Sequence, residues 1–588
     1  MDFDKEKNRM FRNRQVYPSG KSGMETDLFL AALRDIKICP RGPDRKYPHV
    51  IAGKEIYALS GETYDSVDPN DPEYVIARFP KHDLTNPEER ARLLNLLRKM
   101  KNAQHEFWKL PLEVRIKLVE TISSFLRDRY WMFIALMALE GGKRPFPNGV
   151  ASMEEAIEFC FHNIELVRQL YAMRSPRVPP FIGDINGFQW VPKGPIVDIE
   201  PFNFAIAIPM DKISSALLTG NVITMKASKH TPLLGYLLYQ TIQDAFDAVG
   251  IENNGVVNFL SGQGGAIVDF LLEERVVNAY TFTGSYDVCC GLREKYCKPW
   301  PHGGRVQEIA AETSGKNPLA LWKDADLDLA LASAYASTIN NNAQTCSHLG
   351  DLVLHRKIAP QFVLRFKEKL AGMHYGDVKN QGNECGALIS KQNAEDAENT
   401  VKWLIDNGLV EVAYEKPIEK KSVGDFAPRL LRATPKAYLP EWMHKVRSAE
   451  IFAPVVTCWE VDSKDEMKQL CEAGIYGLTC GFFAEEVSMH EWFIRDVDCG
   501  GQIYINGGVV GATVGTAFGG RALSGSSGNG MGASSLGALM NYVSQDNVAY
   551  RFSKGHNKAQ KVAVAKRLEK FMTITPSAVE LAAELDRE

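Results

Sequence analysis

The chain has 588 residues, 45% hydrophobic and 24% charged, the composition of an ordinary folded protein with room for more than one domain. A formal net charge of −4 and an isoelectric point near 6.4 exclude the global basic field of a nucleic-acid binder, and no apolar run reaches the ~18 residues of a membrane-spanning helix. The opening Met1-Asp2-Phe3-Asp4-Lys5 lacks a secretion signal's apolar core; 11 cysteines without a CxxC pair point to free thiols in a reducing, cytoplasmic setting, and 12 histidines at no ligand spacing give no metal site.

In chain order, residues 1–47 read as an irregular extension with a helical stretch near 25–36. A strand is expected at 50–56 and a turn-rich stretch at 65–72. Helices follow from 86 to about 141, where Leu93, Leu96, Leu97 and Met100 recur at i, i+3, i+4 and i+7. A further helix is expected over 153–173, ended by the proline-rich 175–180. From Gln189 the texture changes. A turn leads into a strand ending at Ile199; strand-like 222–225, 256–259 and 279–282 then alternate with helical 233–248 and 266–272. That is the rhythm of βαβ units, so the fold class is α/β with a parallel sheet. A second α/β region begins after Glu312, with helices at 327–341 and 361–373 and strands at 352–354, 455–459 and 479–483. Strand character returns over 500–514. A glycine-rich loop spans 515–532 around Phe518-Gly519-Gly520-Arg521, and 553–588 reads as a charged helical tail.

The residue carrying most information is Cys346, in Ala343-Gln344-Thr345-Cys346-Ser347. It follows Glu312, in Glu312-Thr313-Ser314-Gly315-Lys316-Asn317, by 34 positions (346 − 312). A thiol paired with a carboxylate and with the amide of Asn203, in Pro201-Phe202-Asn203-Phe204, has the makings of a nucleophile, a general base and an oxyanion donor. Other strings have two readings each. Thr283-Gly284-Ser285 after a strand can face a phosphate or simply cap a helix. Lys226 at a strand's carboxyl end can meet a ligand or sit at a solvated edge. Asn203 by itself can be a turn residue. Glu450, in Glu450-Ile451-Phe452-Ala453-Pro454, can hold ribose hydroxyls or belong to an ordinary loop.

The succession Asn203, Lys226, Thr283-Gly284-Ser285, Glu312, Cys346, Glu450, Phe518 resembles the aldehyde dehydrogenase superfamily over roughly residues 50–550. Pro201-Phe202-Asn203-Phe204, Gly315-Lys316-Asn317, Tyr504-Ile505-Asn506 and Val514–Gly520 are most similar to the branch that oxidises glutamate γ-semialdehyde (1-pyrroline-5-carboxylate).

The resemblance implies a Rossmann-type cofactor domain (48–180 and 199–311), an α/β catalytic domain (312–506), and a small β oligomerisation flap with an anchor loop (181–198 and 507–552). The extension (1–47) and a C-terminal helical tail (553–588) lie outside that frame. It implies Cys346, Glu312 and Asn203 as the catalytic residues. Lys226, Ser228, Lys229, Thr283, Gly284, Ser285, Glu450 and Phe452 would hold the cofactor. Ser347, Gly511, Ala512 and Phe518 would hold the substrate, its carboxylate resting on Gly511-Ala512. The expected cofactor is NAD. Many NAD-preferring members carry a carboxylate where this chain has Lys229, so NADP is expected to be tolerated. A homodimer acting on a small-molecule aldehyde is implied. Alternatives are a different semialdehyde or an aromatic aldehyde, acyl transfer to CoA, or an idle binding protein. The chain departs from the family strings at Ala343, Thr345 and Ser314, the last expected to restrict Glu312. A branch-typical Glu falls near Ser152.

Overall fold

The computed structural model describes residues 23–38, 44–173, 185–262, 264–274, 276–297, 308–525, 532–553, 555–570 and 572–574. The first 22 residues, the proline-rich 175–180 and the end of the tail from 575 lie outside the described residues.

Two seven-stranded sheets organise the chain. In the first, the order is Glu308–Glu312, Ala279–Thr283, Ile196–Ile199, Ile223–Ala227, Val257–Ser261, His49–Ile51, Lys54–Ile56. Its first five strands are parallel. Ile223–Ala227 and Val257–Ser261 are buried along their whole length, as expected of strands covered on both faces. Helices Ala207–Leu218 and Pro232–Val249 pack on these strands. From Ile196–Ile199 the chain first builds outward through 223–227 and 257–261, then returns to add 279–283 and 308–312 on the other side. The order reverses at Ile196–Ile199, so the carboxyl ends of these strands open on a switch-point crevice, where open α/β sheets bind ligands. Glu200, Lys226, Ser261, Thr283 and Glu312 all stand at or just past those ends.

The second sheet runs Val410–Glu415, Arg429–Ala433, Val455–Val461, Leu349–His355, Asn317–Leu321, Thr479–Phe483, Gln502–Ile505, all parallel except the antiparallel edge strand 410–415. Separate cores cover its two faces. One holds Trp459, Phe482 and Phe493, and the other Phe362, Phe366 and Phe483. Phe482 and Phe493 stack at 4.5 Å, and burying each such ring contributes roughly 1.5–3 kcal/mol. The chain passes from one sheet to the other in four residues, Thr313 to Lys316. Glu312 thus ends a strand of the first sheet, and Cys346 precedes a strand of the second by three residues (349 − 346).

Three local expectations are corrected. The stretch 50–56 is a hairpin, His49–Ile51 and Lys54–Ile56, because Ala52 and Gly53 turn the chain at φ 51° and 71°. The turn-rich 65–72 lies within a second hairpin, Thr63–Asp68 with Asp71–Pro80. Strand character over 500–514 is confined to Gln502–Ile505, since Asn506 leaves the extended region at φ 52°. A separate three-stranded sheet pairs Ile185–Pro192 with Val543–Tyr550 on one side and Thr573–Ile574 on the other; Ile196–Ile199, expected in part with it, belongs to the first sheet. Of the tail, Lys558–Leu568 is helical, with Asn557 and Gln560 forming a capping box.

Candidate active site

The helix expected over 327–341 stops at Ile339, and Asn341, Asn342 and Ala343 follow with φ of 50°, 56° and 60°. Three successive left-handed residues without glycine cost about 1–2 kcal/mol each, so their surroundings must hold them. Asn342 Nδ2 donates to Gly142 O (3.0 Å) and Ala387 O (3.2 Å), and its Oδ1 accepts from Gly386 N at 3.0 Å. Gln344 Oε1 accepts from Ile389 N at 2.9 Å. Below the thiol, Asn317 Nδ2 donates to both Cys346 O and His348 O at 2.8 Å, while its Oδ1 accepts from Thr479 N at 3.0 Å. Gly315 has to be glycine, because a Cβ there would run into Cys346 O.

Asn203 follows the strand Ile196–Ile199. One Nδ2 hydrogen is spent on Gln344 O at 2.9 Å, which ties the amide to the nucleophile's own turn. The other has no acceptor among the described residues, so the amide is aimed and half free, as an oxyanion donor needs to be.

The electrostatics are those of a dry cleft. Burial pushes the Cys346 thiol up to about 12, reinforced by Glu450 and Glu312 and opposed by the N–H groups of Ser347 and Cys346. Burial also pushes Glu312 up to about 8, against the Gly520 N–H and the charge of Lys212. Glu450 is raised by burial too, against the Gly315 N–H (3.0 Å), the Ser314 hydroxyl and Lys316. Yet all three side chains remain partly accessible. Groups so deeply desolvated that still touch solvent line a narrow cleft, and that cleft lies at the junction of the two sheets.

The residues expected to hold the cofactor gather at the switch-point crevice. Lys226 is buried, and its ammonium is pulled down to about 8 by burial, with Glu200 opposing and Lys229 adding to the fall. Oε1 of Glu200, itself buried, has no hydrogen-bond partner among the described residues. Lys229 is exposed, and Ser228 Oγ accepts from His230 N at 3.3 Å. Ser285 starts helix Tyr286–Tyr296 without capping it through its side chain; Gly284 N donates to Glu312 O at 3.2 Å and Tyr286 N to the Ser314 hydroxyl at 3.3 Å. Phe452 sits edge-on to Phe202 (6.1 Å) and His348 (6.4 Å), linking the crevice to the nucleophile turn. A buried ammonium and a carboxylate oxygen without a partner among the described residues suit the hydroxyls and phosphates of a nucleotide.

The structure therefore brings Asn203, Glu312, Cys346, Glu450 and Phe452 to one cleft, with Lys226 and Thr283–Ser285 beside it. The substrate group is looser. Ser347 is buried next to the thiol, whereas Gly511 and Ala512 stay exposed on the loop after Gln502–Ile505, with no hydrogen bond to Ser347 among the described residues. Phe518 exchanges backbone hydrogen bonds with Ala533 at 3.1 and 2.8 Å. The Ser314 hydroxyl accepts from Tyr286 N at 3.3 Å and favours the charged forms of Glu450 and Tyr476. Ser152 is buried and accepts from Lys143 Nζ at 2.8 Å; that ammonium lies 3.9 Å from the ring centre of Phe204, next to Asn203.

Several of these groups carry little signal in sequence. The clamp Asn342 and the buried Lys143 look like ordinary polar residues. Only the run Asn340-Asn341-Asn342 hints at left-handed backbone, which asparagine tolerates.

Fold and site together define a class: enzymes that present a cysteine thiol of one α/β sheet to a nucleotide crevice in another. The model of the aldehyde dehydrogenase family matches residues 57–546, and this chain belongs to that family, an oxidoreductase acting on aldehydes. Among curated relatives it is 28% identical over 510 residues to the 1-pyrroline-5-carboxylate dehydrogenase of Geobacillus thermodenitrificans, covering 84% of this chain and 91% of the relative. It is 29% identical over 416 residues to that of Bacillus subtilis, covering 70% and 77%. Among solved structures, a 1-pyrroline-5-carboxylate dehydrogenase superposes with a TM-score of 0.81 at 25% identity, covering 92% of this chain and 99% of the other. The NAD-bound enzyme from Thermus gives 0.80 at 24%, covering 91% and 98%, a likeness of fold. No helix among the described residues is long and apolar enough to cross a membrane.

Proposed function

We propose that this chain oxidises glutamate γ-semialdehyde, the open form of 1-pyrroline-5-carboxylate, to glutamate with NAD or NADP. The observation that carries the reading is the shared cleft of Cys346, Glu312 and the half-free amide of Asn203. Cys346, as thiolate, attacks the aldehyde carbon, and the new oxyanion takes the spare Asn203 N–H and the Cys346 N–H, one such donor contributing about 3 kcal/mol. A bound nicotinamide would accept the hydride from that carbon. The thioester left on Cys346 is hydrolysed by water from which Glu312 removes a proton. Lys226, Ser228 and Lys229 would hold the adenosine side of the cofactor, Thr283-Gly284-Ser285 its pyrophosphate, and Glu450 with Phe452 its nicotinamide half. The positive charge of Lys229 suits a 2′-phosphate, so NADP is used alongside NAD.

The substrate carboxylate is assigned to Gly511-Ala512 and Ser347, and its aliphatic part to Phe518. For the ammonium group, Ser152 offers no charge. Glu155, three residues along the same helix, has no hydrogen-bond partner among the described residues and sits within the influence of Lys143, Asp211 and Glu158. It is the carboxylate we assign to that group. The flap strand Val543–Tyr550 is assigned to pairing with a second copy, and the free thiols to a reducing, cytoplasmic setting.

The test is a survey of aldehydes with each cofactor, read as kcat/KM. Glutamate γ-semialdehyde is expected to rank first, with glutamate as product. A clear preference for a neutral or aromatic aldehyde would move the substrate class, and acyl-CoA formed on adding CoA would replace hydrolysis as the second step.

A further inference from the structure

The Glu312 carboxylate is held by the loop that follows the second sheet. Its Oε2 accepts the Gly520 N–H at 3.0 Å. On the other side the backbone of Gly532 comes so close that a Cβ there would overlap the carboxyl group. The main chain of Glu312 is tied to the same loop. It bridges Gly525 in antiparallel fashion, and Thr313 N donates to Ser524 O at 2.8 Å. The loop is braced in turn, because the reciprocal bonds of Phe518 and Ala533 fix Gly532 beside Gly519-Gly520. A carboxyl group with one oxygen engaged by a donor and the other shadowed by backbone has little room to take a water molecule in line for proton transfer. In that position it is off duty as a base.

Resting on the reading of Glu312 as the general base, we propose that Gly520 and Gly532 form a berth that keeps Glu312 off duty. A substrate carboxylate seated on the adjoining 511–518 loop releases it through the Phe518–Ala533 pair. Gly532 is then a positioning residue that sets how much of the time the base is available. It is glycine for closeness to the carboxyl group and not for backbone freedom, since its φ lies outside the left-handed region. An alanine there is compatible with the chain path, and its Cβ would meet the end of the Glu312 side chain first.

The experiment is rapid-mixing kinetics that separate the first burst of reduced cofactor from steady turnover, on wild type, Gly532→Ala, Glu312→Gln and the double variant. Gly532→Ala is expected to keep the burst and to speed thioester hydrolysis roughly 3- to 10-fold, the worth of one hydrogen bond. The gain should vanish in the double variant. An unchanged or slower hydrolysis with an intact burst, or a gain that persists without the carboxylate, overturns the berth. Full hydrolysis in Glu312→Gln alone overturns instead the reading of Glu312 as base. A measurement on the wild type guards against a variant that does not fold. The thioester from a carboxylate-bearing aldehyde should hydrolyse several times faster than one from an aldehyde of equal length without it, and equal rates overturn the coupling.

Discussion

The nucleophile and the base of this cleft are held in opposite ways. The turn carrying Cys346 is over-determined. The turn, with its three left-handed residues, is pinned through Asn342, Gln344 and Asn317 to three separate segments of chain, at Gly142, 387–389 and Asn317 itself, and Gly315 closes against the Cys346 carbonyl. Glu312 has one N–H on its carboxyl group and a glycine backbone against it. The attacking atom must be fixed to within fractions of an ångström, so strain is stored there and held by hydrogen bonds. In the proposed reaction Glu312 acts as base only after hydride transfer, and a light restraint leaves it free to move.

The comparison can be broken at several points. The largest effect is expected from Cys346→Ala, which removes the nucleophile and should lower turnover by on the order of 10⁴-fold or more while the fold persists; retained activity would end the assignment. Glu312→Gln comes next. The burst should survive and steady hydrolysis fall by roughly 10²- to 10⁴-fold, and loss of the burst in a folded variant would place Glu312 in the first step.

The same variant has a stability signature. Burial lifts Glu312 from its ordinary 4.5 to about 8, so the folded state holds this proton more tightly than the unfolded chain does. Its contribution is fully present below 4.5 and is lost as pH rises toward 8. Thermal melts should therefore show wild type losing ground to Glu312→Gln across that window, and a pH-independent difference would contradict the buried berth.

Asn317→Ala tests the rigid half. It strips the donor from two carbonyls and the acceptor from Thr479 N, which should cost about 1–3 kcal/mol in denaturant melts and lower kcat more than it raises KM. An equal loss in kcat and in cofactor affinity would mean that the whole junction had loosened. The smallest effect is Ala343→Gly. With φ at 60°, glycine relieves strain and should stabilise by about 1 kcal/mol if the clamps still order the turn. A fall in stability would show that the Ala343 methyl packs for more than the strain costs.

Much of the first sheet was legible in the sequence. Its central strands Ile223–Ala227 and Val257–Ser261 are buried along their whole length and so read as short apolar runs, and Lys226 stands out as a charge near the end of one of them. The catalytic strings were legible for a different reason. Each is a local stretch of backbone with its own geometry, as Gly315 shows, where only glycine fits. Hairpin 63–80 was missed because Pro72 and the aspartates around it look like turn material throughout, while only Asp68–Asp71 turns. The helix end at Ile339 was placed two residues late, because asparagine is an indifferent helix former and its left-handed role depends on distant acceptors such as Gly142 and Ala387.

By itself the sequence determined the α/β rhythm, the family and the order of the reactive side chains, all properties of neighbouring residues whose periodicity and local backbone need no distant partner. Only the tertiary structure decided how those side chains are held. The carbonyls that Asn317 grips, the hydroxyl by which Ser314 reaches Glu450, and the glycine berth of Glu312 join segments remote in sequence. Burial at the junction of two sheets, which no single segment possesses, is what shifts Cys346 and Glu312 from their ordinary ionisation.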